Sequence, residues 1–266
     1  MRTSIHTSPA EDISGSGRLR RLLRGAIAAR REAATLLATN AIIGPLVAML
    51  PLSVLLSTLG VGPRGTYPEL DRVGVLSHQG SSFTIGCVLF AVVGVLAVAA
   101  DGERTRRAED GGASRPNGVR SVRLVAWAGL VWADGFLAAV LSAIAPLGIG
   151  GAFPPDTVWL VMMTAVGTGS GWAAFAVIAF CIGVMARLRP LGIAVSLLLT
   201  IVVPVVVESA FRPSGVADYL PMSAARAVAA PGISESPAHG ALVLGAWVVA
   251  AVMLAWCVRR RSVVGR

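Results

Sequence analysis

The chain has 266 residues, of which 55% are apolar and only 14% charged, and its mean hydropathy is +0.74. A soluble domain carries about 25% charged residues, so this composition excludes a soluble globular protein with an ordinary polar coat. All 23 basic residues are arginine, against 14 acids, giving a net charge of +9; the absence of lysine excludes a lysine-dependent phosphate loop and Schiff-base chemistry, and 3 scattered cysteines build no disulfide framework.

Residues 1–16 read as a disordered cytoplasmic tail. Residues 17–36 (GRLRRLLRGAIAARREAATL) predict a basic amphipathic helix. Leu19, Leu22, Leu23, Ala26 and Ile27 share one face at i, i+3, i+4 spacing, and Arg20, Arg24 and Arg31 occupy the other. Such a helix lies in the membrane interface as an elbow, held by its apolar face and by anionic lipid.

A bilayer core about 30 Å thick requires about 20 apolar residues of helix. Six runs meet or approach that length, predicting spans at about 37–59, 81–100, 124–146, 158–186, 190–211 and 239–258, with a basic tail at 259–266. The fourth extends a turn or two beyond the bilayer. Because lipid cannot satisfy free backbone groups and the runs do not alternate, helices are expected rather than a barrel. The expected fold is therefore all-α: a polytopic membrane protein of six transmembrane helices across 37–258, preceded by the interfacial helix. The first run is too long for the apolar region of a signal peptide, and five more follow it. Pro45, Pro51 and Pro204 are expected to kink spans one and five.

The arginines divide unevenly between the two sides. The N-terminal segment, the loop between spans two and three, the short turn after span four and the C-terminal tail hold 19, while the opposite side holds only Arg64, Arg72, Arg212 and Arg226. This asymmetry predicts that both termini are cytoplasmic. It also accounts for the net positive charge without nucleic acid as a partner, because the arginines flank spans.

Among the loops, residues 101–123 (DGERTRRAEDGGASRPNGVRSVR) form the main cytoplasmic connector, flexible through GGASRPNG. On the other side, 60–80 is rich in Gly and Pro, and 212–237 contains YLPMSAARAVA, which predicts a short helix from Pro221 at the outer interface.

Within the membrane the chemistry is sparse. Asp134 stands about ten residues into span three, near mid-depth. A central acid costs about 2.5–3.5 kcal/mol on insertion scales, and the surrounding Leu, Val, Ile and Phe residues offset that cost at about 0.3–0.6 kcal/mol each. Asp134 must face the bundle, a partner or water, so it is a candidate pathway residue or a buried structural acid. Glu208, at the outer end of span five, is expected to be simply solvated. GTGSG in span four, with Gly167, Gly169 and Gly171, predicts close helix packing. A serine hydrolase built from Ser170 and His239 is disfavoured, since their depths differ by about 15–20 Å and a base must stand within about 3 Å. Cys87, Cys181 and Cys257 are expected to be buried as small apolar residues. His6, His78 and His239 lack metal-ligand spacing.

The order of these features resembles the type-2 ATP-binding-cassette (ABC) permeases, the membrane subunits of export-type systems. A basic amphipathic helix leads into the first span, span two ends in VVGVLAVAADGERT, and span four ends in the arginine-bearing turn VMARLRPLG. YLPMSAARAVA follows span five, and AWVVAAVMLAWCVRRRSVVG closes the chain. The resemblance covers about residues 17–264; the polar, glycine-rich stretch after Glu103 departs from it. It implies a six-span subunit working as a homodimer or with a related permease. A separate cytosolic ATPase would dock on the elbow helix and on the loop between spans two and three. By this analogy Asp101, Glu103, Arg104, Arg106 and Arg107 are the coupling residues, and ATP and Mg belong to the partner, leaving this chain without a cofactor or catalytic residue of its own. Two other classes remain open: a proton-coupled secondary transporter using Asp134, and an intramembrane enzyme or assembly factor.

Overall fold

The computed structural model describes residues 40–59, 82–98, 118–145, 155–186, 188–210, 215–230 and 236–264. Within them the protein is helical throughout, with no strand. Seven helices follow in chain order: α1 (Asn40–Leu59), α2 (Ser82–Val98), α3 (Gly118–Ile144), α4 (Pro155–Met185), α5 (Arg189–Ala210), α6 (Pro221–Ala229) and α7 (Pro237–Val264). The elbow helix predicted at 17–36 and the connector at 101–117 lie outside the described residues.

Among the described residues, four helices are long and apolar enough to cross a membrane: Val122–Ile144, Val158–Met185, Arg189–Ala210 and Pro237–Val258. They match predicted spans three to six to within a few residues. Two shorter apolar helices, Gly44–Leu56 and Ser82–Val98, lie where spans one and two were expected. α1 runs as one helix through Pro45 and Pro51.

α4 is the central post. Of its apolar window 67% is buried, against 22% for α5 and 11% for α7. Its small residues let other helices approach closely. A Cβ on Gly169 would lie 2.6 Å from the Trp132 carbonyl oxygen of α3, and one on Gly135 of α3 would lie 2.9 Å from the Cα of Gly169. α2 crosses another face, where Gly94 leaves only room for the Ala176 carbonyl, at 2.8 Å from an added Cβ. Trp172 of α4 fills the centre: it is 1% exposed, donates its indole N–H to the Phe83 carbonyl of α2 at 3.0 Å, and packs against Phe90 with ring centroids 5.3 Å apart. An added Cβ on Gly86 would collide with that indole, so glycine there makes room for the tryptophan. Met49, Phe83, Phe90, Trp127, Trp172, Phe175 and Met222 form the core shared by α1, α2, α3, α4 and α6.

The contacts also fix directions. Along α4, residues near 171, 176–180 and 183 meet α2 at Phe83, Gly94 and Val95–Val98, so these helices run the same way. α7 follows α4 too, its Ala251 and Ala255 packing with Val177, Ile178 and Cys181 while its Gly240 meets α6. α5 turns back: Gly192 packs beside Gly183 and Val95 at one end of the bundle, and Glu208 reaches α6 at the other.

α6 begins at Pro221, which supplies the fixed φ of a first helical residue. This segment, expected at the outer interface, packs between α4 and α7. Pro221, Met222, Ala224, Ala225 and Ala229 are buried. The Val228 carbonyl lies where a Cβ on Gly167 would be, and the Ala224 carbonyl is 2.7 Å from a Cβ placed on Gly240. Alanine and glycine on three elements thus let a short helix close one end of the bundle.

Candidate functional site

Asp134 stands on the buried stripe of α3 formed by Trp127, Val131, Asp134, Ala138 and Ser142. It lies 11 residues beyond Arg123, about 16 Å along the helix. The residue is 7% exposed, and its Oδ2 has no hydrogen-bond partner among the described residues. Among the described residues, the α3–α4 pair carries three other buried polar atoms without a partner: Trp127 Nε1, Ser142 Oγ and Thr164 Oγ1. Buried polar groups are almost always paired in native proteins, with water where protein groups do not serve. This seam therefore concentrates unmet hydrogen-bonding capacity inside an apolar bundle. Chemically, Asp134 offers one carboxyl oxygen to a proton, a water or a donor group.

Asp101, Glu103, Arg104, Arg106 and Arg107, the coupling candidates, lie outside the described residues. No cluster of His, Cys, Asp or Glu able to hold a metal occurs among the described residues. Ser170 and His239 have separate partners. The Ser170 hydroxyl donates to the Val166 carbonyl at 2.8 Å and accepts from Trp132 Nε1 at 3.3 Å, while the His239 ring meets Tyr219 edge-on at 5.3 Å. This geometry gives Ser170 a packing role. Cys87 and Cys181 are buried as expected; Cys257 is exposed, because it lies on the outward face of α7.

Two features escaped the sequence reading. First, Glu208 is not simply solvated. Its Oε1 lies 3.4 Å from Arg226 Nη1 and 3.5 Å from the Ser223 hydroxyl, joining the end of α5 to α6. Second, an open apolar groove of about 540 Å³ runs along α7, lined by Tyr219, His239, Leu242, Val243, Ala246 and Trp247. Its roof is fixed by a hydrogen bond of 2.9 Å from Trp247 Nε1 to the Tyr219 carbonyl. At the far end of α7, the Arg260 guanidinium lies 3.6 Å from the Trp256 ring centroid, a cation–π contact suited to the level of lipid headgroups. No family model and no curated protein matches the chain.

Proposed function

We propose that this chain is the permease subunit of an ABC-type exporter in a bacterial plasma membrane. It spans the bilayer six times with both termini in the cytoplasm. Two permease subunits, identical or related, form the substrate path between them, and a separate cytosolic ATPase supplies the energy. ATP and Mg are bound by that ATPase, and no catalytic step falls to this chain. The observation that carries the reading is the order of elements. A basic segment and an arginine-rich connector flank long apolar helices, and a short buried helix, α6, follows the fifth predicted span and leads into the last. The shared direction of α2, α4 and α7 supports an even number of crossings, and the arginine asymmetry supports the orientation. In this reading Asp101, Glu103, Arg104, Arg106 and Arg107 touch the ATPase.

Co-purification tests this. A C-terminally tagged chain extracted in mild detergent should bring down a stoichiometric cassette ATPase. Replacing residues 101–110 with a Gly/Ser linker should remove it while the chain stays folded. Its reproducible absence, from a chain that transports alone, would overturn the reading.

A second reading, proton-coupled transport without an ATPase, draws on one observation, the unpartnered buried Oδ2 of Asp134. Transport by the purified chain alone, driven by a pH gradient and abolished in Asp134→Asn, would favour it.

A further inference from the structure

α5 is two helical pieces joined by a π-helical turn, Leu198–Val202, in which the Val203 N–H donates to the Leu198 carbonyl five residues back. π-turns within α-helices are uncommon and recur at functional positions. Three neighbouring features loosen the same place. Pro204, two residues on, has no N–H to give to the preceding turn. The Thr200 hydroxyl donates to the Ser196 carbonyl at 2.7 Å, a back-bond that bends helices. The Ser196 hydroxyl itself is buried without a partner among the described residues.

The two pieces are held very differently. Arg189–Leu197 packs through Gly192 onto Val95, Gly183 and Ala186. Val203–Ala210 makes its main contacts outside α5 with the turn Val216–Tyr219, and Val205 and Val206 are exposed. Its tip is fastened by Glu208 to Ser223 and Arg226. Those last two belong to α6, which is packed closely between α4 and α7 at Gly167 and Gly240.

We infer that Val203–Ala210 is a gate arm, hinged at Leu198–Pro204 and clasped at its tip by Glu208 against Ser223 and Arg226. The clasp side chains are 38% and 47% exposed for Glu208 and Arg226. An ion pair so open to solvent is weak, so it holds the arm closed without locking it. Opening carries the arm away from α6 and from the Val216–Tyr219 turn, which stays tied to α7 by the Trp247–Tyr219 hydrogen bond. The device requires only the hinge and the clasp, and stands whether or not the chain is driven by an ATPase.

The test is a pair of distance measurements by double electron–electron resonance on the full chain in lipid nanodiscs, in a Cys257→Ser background. One spin-label pair, Val206→Cys with Leu242→Cys, reports the arm against α7. The other, Val195→Cys with Leu242→Cys, reports the segment before the hinge. Glu208→Gln should shift the first distribution to longer distances and leave the second unchanged. The exchange Glu208→Arg with Arg226→Glu should restore the first. Pro204→Ala, which returns the missing N–H, should narrow it. A first distribution unmoved by Glu208→Gln, or both distributions moving together, would overturn the hinged arm. If Glu208→Gln fails to fold, the charge exchange decides alone: a folded exchange variant with the parental distance supports the clasp, and one with the arm displaced refutes it.

Discussion

Asp134 and Gly167 mark opposite kinds of constraint on a single residue. Asp134 is a poor choice for stability, since an acid near mid-depth costs about 2.5–3.5 kcal/mol and its Oδ2 recovers no hydrogen bond from the described residues. Asp134→Leu should therefore stabilise the fold, by about 1–3 kcal/mol on the same insertion scales, as read by thermal unfolding in detergent. If the acid serves transport, that more stable variant should lose activity in reconstituted vesicles. Equal transport by both proteins would reduce Asp134 to a structural relic. Gly167 is the reverse case. Its missing Cβ is the space taken by the Val228 carbonyl of α6, and backbone atoms at both ends of that contact have nowhere to go. Gly167→Val should cost about 1–3 kcal/mol or more, the range for overpacking, and should shift the melting temperature down. The same change at Gly129, where a Cβ meets nothing within 4 Å, should cost far less, and comparing the two separates packing from helix propensity.

At the scale of elements, the chain announces its helices more clearly than their faces. Predicted spans three to six agree with α3, α4, α5 and α7 to within a few residues, because charge-free runs of this length have few alternatives in lipid. The start of α6 was equally legible, since Pro221 stands at the head of an alanine-rich stretch. Which face of each helix turns inward was not legible. In water a polar stripe marks the outside, whereas here Val205 facing outward and Val131 facing the core are the same residue type. The π-turn was hidden for a related reason, as Leu-Leu-Thr-Ile-Val is an almost wholly apolar window whose local cues, Ser196, Thr200 and Pro204, are also common in unbroken membrane helices. Glu208 and Arg226 are 18 residues apart, and only the return of the chain through α6 brings them together. Asp134, by contrast, stood out as the single charge in its run. Trp172 concentrates the helix–helix contacts of α2 and α4 in one side chain. Trp172→Ala should cost about 3–5 kcal/mol, the range for buried aromatic truncations, and should release α2 to hydrogen exchange before α3.

For the whole molecule, the arginine asymmetry makes a prediction independent of any partner. Single cysteines introduced near either terminus should be labelled by a membrane-impermeant thiol reagent only after cells are opened. One introduced next to Asp218 should be labelled in intact cells, in a background lacking Cys257. Labelling of a terminus in intact cells would invert the orientation and move the 101–123 connector to the wrong side for a cytosolic ATPase. The same asymmetry is why net charge alone is a poor guide: a value of +9 would suggest nucleic acid in a soluble protein, whereas in the proposed topology it is read as an orientation signal.

The central position of α4 also has a consequence for biosynthesis. The chain is made from its N-terminus, and α1, α2 and α3 all precede the post on which they assemble. Until residues 155–185 emerge, Gly86 and Gly94 have no indole or carbonyl to fill their notches, and Asp134 has no α4 beside it. The first half of the chain therefore lacks its packing partner until then, and its helices associate through fewer of their final contacts. Folding becomes cooperative only when the fourth predicted span arrives.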